Sequence, residues 1–194
     1  GGTFQLAGDY AGSGRVEFSP LTFSTLQDLV MAAQGRQPLP VEGVVQGRVT
    51  FNGPVKKPEL MTGRLEISDL QILPARRTFT VARAQKLSVK NADPVIVEYD
   101  GKQLHVRNAH LVGPETDLKV LGAIGVREKA NYDLRIEGNL NLGVLQNFEE
   151  DLVSSGIATV NASIRGPLAD PIVGGRMELK NASFNMTDIP NGLD

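Results

Sequence analysis

Apolar and polar residues alternate in short runs along most of this chain, and this period of two constrains the fold more than any other feature. Successive side chains of a β-strand point to opposite faces, so each run puts its apolar residues on one face and its polar residues on the other. The pattern occurs at Val49/Phe51, Leu65/Ile67, Phe79/Val81, Leu87/Val89, Val95/Val97/Tyr99, Leu104/Val106, Leu118/Val120, Tyr132/Leu134/Ile136, Val160/Ala162/Ile164 and Met177/Leu179. The sequence therefore predicts a mainly β protein of roughly a dozen antiparallel strands, with one face of the sheet in water.

Two segments break the alternation, and each predicts a short amphipathic helix. Residues 24–34 carry apolar side chains at three- and four-residue spacing, with a hydroxyl residue at their start as a cap and Gly35 after them as a stop. Residues 144–153 show the same spacing before Gly156, with one apolar side formed by Leu145, Phe148 and Leu152. The acidic residues within this second segment are expected to form its solvated face.

The chain also contains one long phrase twice. Residues 53–70 read GPVKKPELMTGRLEISDL, and residues 166–182 read GPLADPIVGGRMELKNA. Upstream, LTFSTLQ at 21–27 matches LNLGVLQ at 140–146, so each copy predicts a strand, a short helix, a strand, a Gly-Pro turn and a strand. The expected organisation is a repeat unit at 1–75, connecting hairpins at 76–128 and a second repeat unit at 129–194. Such units bury their apolar faces only by extending a common surface, so we expect one continuous structure that carries on beyond both ends.

Composition excludes several classes of function. The 20 basic and 22 acidic residues give a net charge of -2, which provides no field to hold nucleic acid. The absence of cysteine removes disulfides, thiolate metal sites and thiol nucleophiles. No run of about 18 apolar residues spans a membrane, and no apolar signal core follows the first residues, so any targeting segment is expected outside this stretch.

No motif in the sequence indicates catalysis or cofactor binding. His105 and His110 stand five residues apart, with no acidic partner at ligand spacing, which disfavours a metal site. The chain contains no Gly-x-Ser-x-Gly elbow, Walker loop, HExxH or Gly-x-Gly-x-x-Gly. We therefore predict that the protein is not an enzyme and has no metal or cofactor.

The repeated phrase, together with YDLRIEG at 132–138 and LGVL at 142–145, resembles the degenerate repeats of the TamB/AsmA-like family. The resemblance covers nearly the whole chain. It implies an elongated antiparallel sheet curled into a U-shaped groove, in the periplasmic part of an envelope-spanning protein anchored in the bacterial inner membrane. It also implies transport of phospholipid between the two membranes, and assembly of outer-membrane and autotransporter proteins with an Omp85-family barrel such as TamA or BamA.

The resulting hypothesis is an aliphatic groove that shields phospholipid acyl chains, each CH₂ gaining about 0.8 kcal/mol on leaving water. With strands about 4.8 Å apart, a dozen of them would span roughly 55 to 60 Å. Three alternatives remain: the inner face of a closed sandwich, a module that offers strand edges to outer-membrane proteins, and a structural repeat that binds no lipid. The residues predicted to face the groove are Val49, Phe51, Leu65, Ile67, Phe79, Val81, Leu134, Ile136, Ile164, Met177 and Leu179.

Overall fold

The computed structural model describes residues 1–4, 8–22, 25, 41–74, 87–126, 130–147 and 152–186. All strands in these ranges hydrogen-bond into one antiparallel sheet of twelve strands. The prediction of a mainly β, antiparallel protein is confirmed.

The strands follow the alternating runs of the sequence. They are β1 (Gly2–Phe4), β2 (Ala11–Thr22), β3 (Val41–Pro54), β4 (Thr62–Pro74), β5 (Val89–Asn91), β6 (Val95–Tyr99), β7 (Gln103–Asn108), β8 (His110–Gly113), β9 (Thr116–Gly125), β10 (Asn131–Asn141), β11 (Leu152–Pro167) and β12 (Ile172–Met186). Two 3₁₀ helices, η1 (Pro58–Leu60) and η2 (Leu142–Asn147), lie between β3 and β4 and between β10 and β11.

The sheet is a meander in which rows of strands succeed one another in chain order. Strands β5 and β6 share the row beside β4, and β7 and β8 share the row beside β9. Because two rows hold two strands each, the twelve strands form ten rows. Nine spacings of about 4.8 Å give a width of about 43 Å, so the expectation of 55 to 60 Å from a dozen separate rows was too long.

Asn91 closes the break between β5 and β6. Its side-chain oxygen accepts the Leu70 N–H at 2.7 Å, and its amide nitrogen donates to the Ser68 carbonyl at 3.2 Å. These bonds stand in for the ladder bonds that the row loses where the chain bends before Pro94. The side chain thereby keeps the two short strands in one row against β4.

The two copies of the repeated phrase fold alike. In each copy, a strand ends in a Gly-Pro turn and the next strand returns beside it: β3 and β4 in the first copy, β11 and β12 in the second. Both returning strands also carry a β-bulge near the same point of the phrase, at Ser68 in β4 and at Asn181 in β12, where Asn181 has a φ of 49°. A bulge adds one residue to a strand and strengthens its twist.

The predicted helix at 144–153 is wrong in type and in extent. The chain forms the 3₁₀ helix η2, and Leu152 and Val153 already belong to β11. Hydrogen bonds to β11 fix this geometry, because the Ser154 hydroxyl donates to the Leu142 carbonyl at 2.8 Å and the Gln146 amide donates to the Ser154 carbonyl at 2.5 Å. Tertiary contacts therefore override the helical spacing. The predicted helix at 24–34 lies outside the described residues except for Thr25.

Full burial among the described residues is rare. The buried hydrophobic side chains are Val45, Leu87, Val89, Val95, Leu142, Val144 and Ala158. Several of them surround η2: two belong to it, and a Leu87 methyl lies 2.7 Å from the position that a Cβ on Gly143 would occupy. The packed core is therefore local, and most apolar side chains of the strands lie outside it.

Candidate functional site

One face of the sheet is apolar across its rows. Cross-strand pairing joins one residue from each of the nine rows from β2 to β12, both included, into a continuous line. We call it the apolar line and the surface around it the apolar face. Its members are Val16, Val49, Leu65, Val97, Val106, Gly122, Leu134, Ile164 and Val173.

Burial along the apolar line is partial. The members between β3 and β11 are half-buried, whereas Val16 and Val173, at its two ends, are 55% and 69% exposed. In a packed two-layer core the central residues of such a line are fully buried. The described strands provide no second sheet to cover this face.

The structure brings the described groove residues of the sequence prediction to this face. Val49, Leu65, Leu134 and Ile164 belong to the apolar line itself. The remaining ones lie beside it on the same face, at alternate positions of the same strands or of β12: Phe51, Ile67, Ile136, Met177 and Leu179. Met177 and Leu179 are 62% and 50% exposed, and the other seven are half-buried. Phe79 and Val81 lie outside the described residues.

Glycines interrupt the apolar face in two ways that the sequence analysis missed. The Phe51 ring covers Gly14, which is its direct cross-strand partner, and the Phe18 ring covers Gly47 in the same manner. Gly122 and Gly138 instead have φ values of 130° and 131° in the middle of β9 and β10, a conformation that other residues rarely adopt. Such glycines let strands bend sharply. In the sequence, a glycine inside a strongly alternating run is the signal that marks such irregular positions in a strand.

The opposite face is polar and carries cross-strand ion pairs. Arg48 donates two hydrogen bonds to the Glu66 carboxylate, at 2.7 and 2.9 Å. Glu98 accepts from Arg64 at 2.6 Å and from Arg107 at 2.8 Å. The hydrogen bond from Arg107 is the main cause that lowers the pKa of Glu98 below its ordinary value. These pairs mark the face that is compatible with water.

A shallow cavity of about 410 Å³ lies beside this ion-pair cluster, and Asp100 and His105 are among its lining residues. Asp100 caps the turn before β7: Oδ1 accepts the N–H groups of Lys102 and Gln103, and Oδ2 contacts His105 Nε2 at 2.8 Å. The bond with His105 is the largest cause that holds the pKa of Asp100 far below its usual range. The charged and histidine side chains that line this cavity are thus paired with one another.

The sequence has no acidic residue at ligand spacing from the two histidines, but the fold places a carboxylate beside each of them. The turn between β6 and β7 places Asp100 beside His105. His110 Nε2 lies 2.8 Å from Asp117 on the neighbouring strand β9, and its Nδ1 lies 3.6 Å from Asp93, which precedes β6. Sequence spacing did not indicate these contacts, because Asp117 reaches His110 from the neighbouring strand. Even so, no group of three or more potential ligands in the described ranges is arranged to hold a metal ion.

Comparison of the chain with protein-family models, with curated proteins and with solved structures gives no match. Among the described residues, no helix has the length and apolar character needed to cross a membrane.

Proposed function

We propose that this chain is a non-catalytic lipid-binding segment, in which the apolar face holds phospholipid acyl chains in a trough. The observation that carries the proposal is the apolar line, which crosses nine consecutive rows, between β2 and β12, without a second layer of described strands over it. An apolar surface of this extent that no described strand covers is unfavourable in water and typically marks a binding site. The periplasmic location, the inner-membrane anchor and the Omp85-family partner stay predictions from the resemblance.

The position of η2 supports a trough. This helix contacts both β11 and β4, which are five row spacings apart. In a flat sheet the row of β5 would lie three to four spacings, or about 14 to 19 Å, from β10 and β11. Leu87, two residues before β5, nevertheless places a methyl 2.7 Å from the position of a Cβ on Gly143 of η2. This contact, together with those to β4 and β11, favours a sheet that bends at this end.

The bend favours enclosure of the apolar face and not of the polar one. The Ser154 hydroxyl donates to the Leu142 carbonyl of η2. Ser154 lies four residues before Ala158 on β11, so the two side chains point to the same face of the sheet. Ala158 pairs with Leu140, which belongs to the apolar face. The helix therefore lies on the apolar side of the sheet. The strand-bending glycines Gly122 and Gly138 also belong to this face, and they would help β9 and β10 to curve around a ligand.

The dimensions suit acyl chains. The hydrocarbon core of a bilayer is about 30 Å thick, so one acyl chain spans about 15 Å, and the nine rows of the apolar line, about 38 Å across, have room for two chains in succession. Removal of about ten CH₂ groups from water contributes roughly 8 kcal/mol before the costs of binding. An aliphatic lining retains such a chain without a specific polar contact and lets it slide.

Photocrosslinking along β10 tests the proposal with a matched set of neighbours. A photoreactive amino acid is placed in turn at Leu134, Arg135, Ile136 and Glu137, which alternate between half-buried positions on the apolar face and exposed positions on the polar face. In cells, we expect phospholipid to be captured at Leu134 and Ile136 and not at Arg135 and Glu137. Equal labelling of both pairs would contradict the proposal.

A further inference from the structure

The two ends of the strands differ in how the apolar face is covered. Helix η2 follows β10 at one end and buries Leu142 and Val144 against this face. Helix η1 joins β3 to β4 at the opposite end, and none of its residues is buried. Within the described ranges, the apolar face is therefore closed at the η2 end and open at the η1 end. Because a phosphate group that loses water without gaining partners is costly, the η1 end is the favourable place for the headgroup of a bound phospholipid.

A second line of cross-strand pairs runs along the apolar face, two residues closer to the η1 end than the apolar line. We call it the rim line, and its members in eight consecutive rows are Gly14, Phe51, Gly63, Tyr99, Leu104, Ile124, Tyr132 and Gly166. The rim line contains three aromatic residues, whereas the apolar line contains only aliphatic residues and one glycine. Tyrosine is favoured at the boundary between an apolar region and water, because its ring is apolar and its hydroxyl is polar. The two lines therefore resemble the acyl layer and the interface of a membrane.

The two tyrosines of the rim line differ in what their hydroxyls bind. The Tyr99 hydroxyl lies 2.8 Å from the Gly101 carbonyl oxygen and 3.0 Å from the Pro58 carbonyl oxygen, so its proton is used within the protein. Tyr132 is half-buried, but its hydroxyl has no hydrogen-bond partner among the described residues. A phenol beside an apolar surface gains from a hydrogen bond to an acceptor on a ligand. Tyr132 is therefore the tyrosine of the rim line that is free to bind a headgroup.

We propose that a phospholipid on this face lies with its acyl chains along the apolar line and its phosphate at the rim line, where the Tyr132 hydroxyl donates a hydrogen bond to a phosphate oxygen. The two lines are two residues, or about 7 Å, apart. The headgroup layer on each side of a bilayer is about 5 to 8 Å thick, so this spacing matches the step from phosphate to acyl chain. The inference rests on the proposed function, to which it adds the orientation of the lipid and one polar contact that orients it without being needed to retain it.

Photoactivatable phosphatidylcholines test the orientation. One probe carries a diazirine in its headgroup, the other carries it near the end of an acyl chain, and each is offered to the purified chain in vesicles. Mass spectrometry of the crosslinked peptides should place the headgroup label near the rim line, and not at residues 113–116 or 141–147 of the η2 end. The acyl label should fall on the apolar line. A headgroup label near η2, or an even distribution, would overturn the orientation and leave lipid binding intact, whereas no capture of either probe would overturn lipid binding and the orientation with it.

Removal of the two rim hydroxyls, one at a time, tests the hydrogen bond by titration with fluorescent lipid analogues. Tyr132→Phe should weaken binding of phosphatidylcholine about fivefold, as expected for one lost hydrogen bond, and should leave binding of a diacylglycerol with the same acyl chains unchanged. The matched control is Tyr99→Phe, which should lower Tm through its lost bonds to Pro58 and Gly101 and leave the ratio of the two affinities unchanged. Equal weakening of both lipids by Tyr132→Phe, no weakening at all, or the same phosphate-dependent loss in Tyr99→Phe would contradict the assigned contact.

Discussion

Replacement of Gly138 by alanine should destabilise the sheet far more than the same change at Gly63. Gly138 lies in the middle of β10 with a φ of 131°, and a Cβ on it would overlap the Asp117 carbonyl oxygen and lie 3.1 Å from the Leu118 Cα. Both contacts are with backbone atoms of β9, which cannot rotate away. Gly63 lies in β4 without a positive φ, and a Cβ there would meet its nearest neighbour, the Thr50 carbonyl oxygen, at an ordinary 3.4 Å.

The magnitude follows from three terms. Backbone strain at a glycine-only conformation costs about 1 to 3 kcal/mol, and a displaced ladder hydrogen bond costs about 1 kcal/mol more. The lower entropy of the unfolded alanine chain offsets about 0.4 to 1 kcal/mol. Gly138→Ala should therefore lower the free energy of unfolding by about 1 to 3.5 kcal/mol, which corresponds to roughly 2 to 14 °C in Tm for a chain of this size. Gly63→Ala should be neutral or slightly stabilising.

Urea and thermal unfolding followed by far-ultraviolet circular dichroism measure both variants against the parent chain. Hydrogen exchange gives a local readout, because loss of protection in Gly138→Ala should be greatest in β9 and β10. If Gly138→Ala were as stable as Gly63→Ala, the bent conformation assigned to β10 would be refuted.

Three further changes probe other parts of the fold. The lowered pKa of Asp100 contributes stability that is complete above the unfolded-state value of 3.8 and is lost as the pH falls below it. The destabilisation caused by Asp100→Asn should therefore shrink as the pH falls from about 5 to about 2, and a destabilisation that grows over this range would be inconsistent. Ser154→Ala removes a buried hydroxyl that binds η2 and should cost about 1 to 2 kcal/mol in chemical unfolding, against almost no change for the exposed Ser155→Ala. A double-mutant cycle of Arg48→Met and Glu66→Gln should give a coupling of about 0.5 to 1 kcal/mol that weakens in 1 M salt; a salt-independent coupling would argue against an ion pair.

Period-two alternation was sufficient to predict the sheet and the face to which Val49, Leu65, Leu134 and Ile164 belong. Side chains alternate between the two faces along a strand, so assigning one residue to a face assigns every other residue of the same run. The repeat likewise located two Gly-Pro turns that both return the chain into an adjacent strand.

The remaining features depend on contacts between distant segments. The segment around η2 has helical spacing, but the bonds of Ser154 and Gln146 and the pairing of β11 with β12 determine its structure. Pairing also places Asp117 beside His110 and merges four short strands into two rows, with Asn91 bridging one break. Neither alternation nor motif spacing contains that information, because both are read along one strand at a time.

Native mass spectrometry of the protein purified without detergent tests the lipid-binding claim most directly. We predict phospholipid adducts on the parent chain, their loss in Ile136→Lys on the apolar face, and their retention in Glu137→Lys, the adjacent residue on the polar face. A lipid-free parent chain, or equal adducts on the two variants, would contradict the claim that the apolar face holds acyl chains.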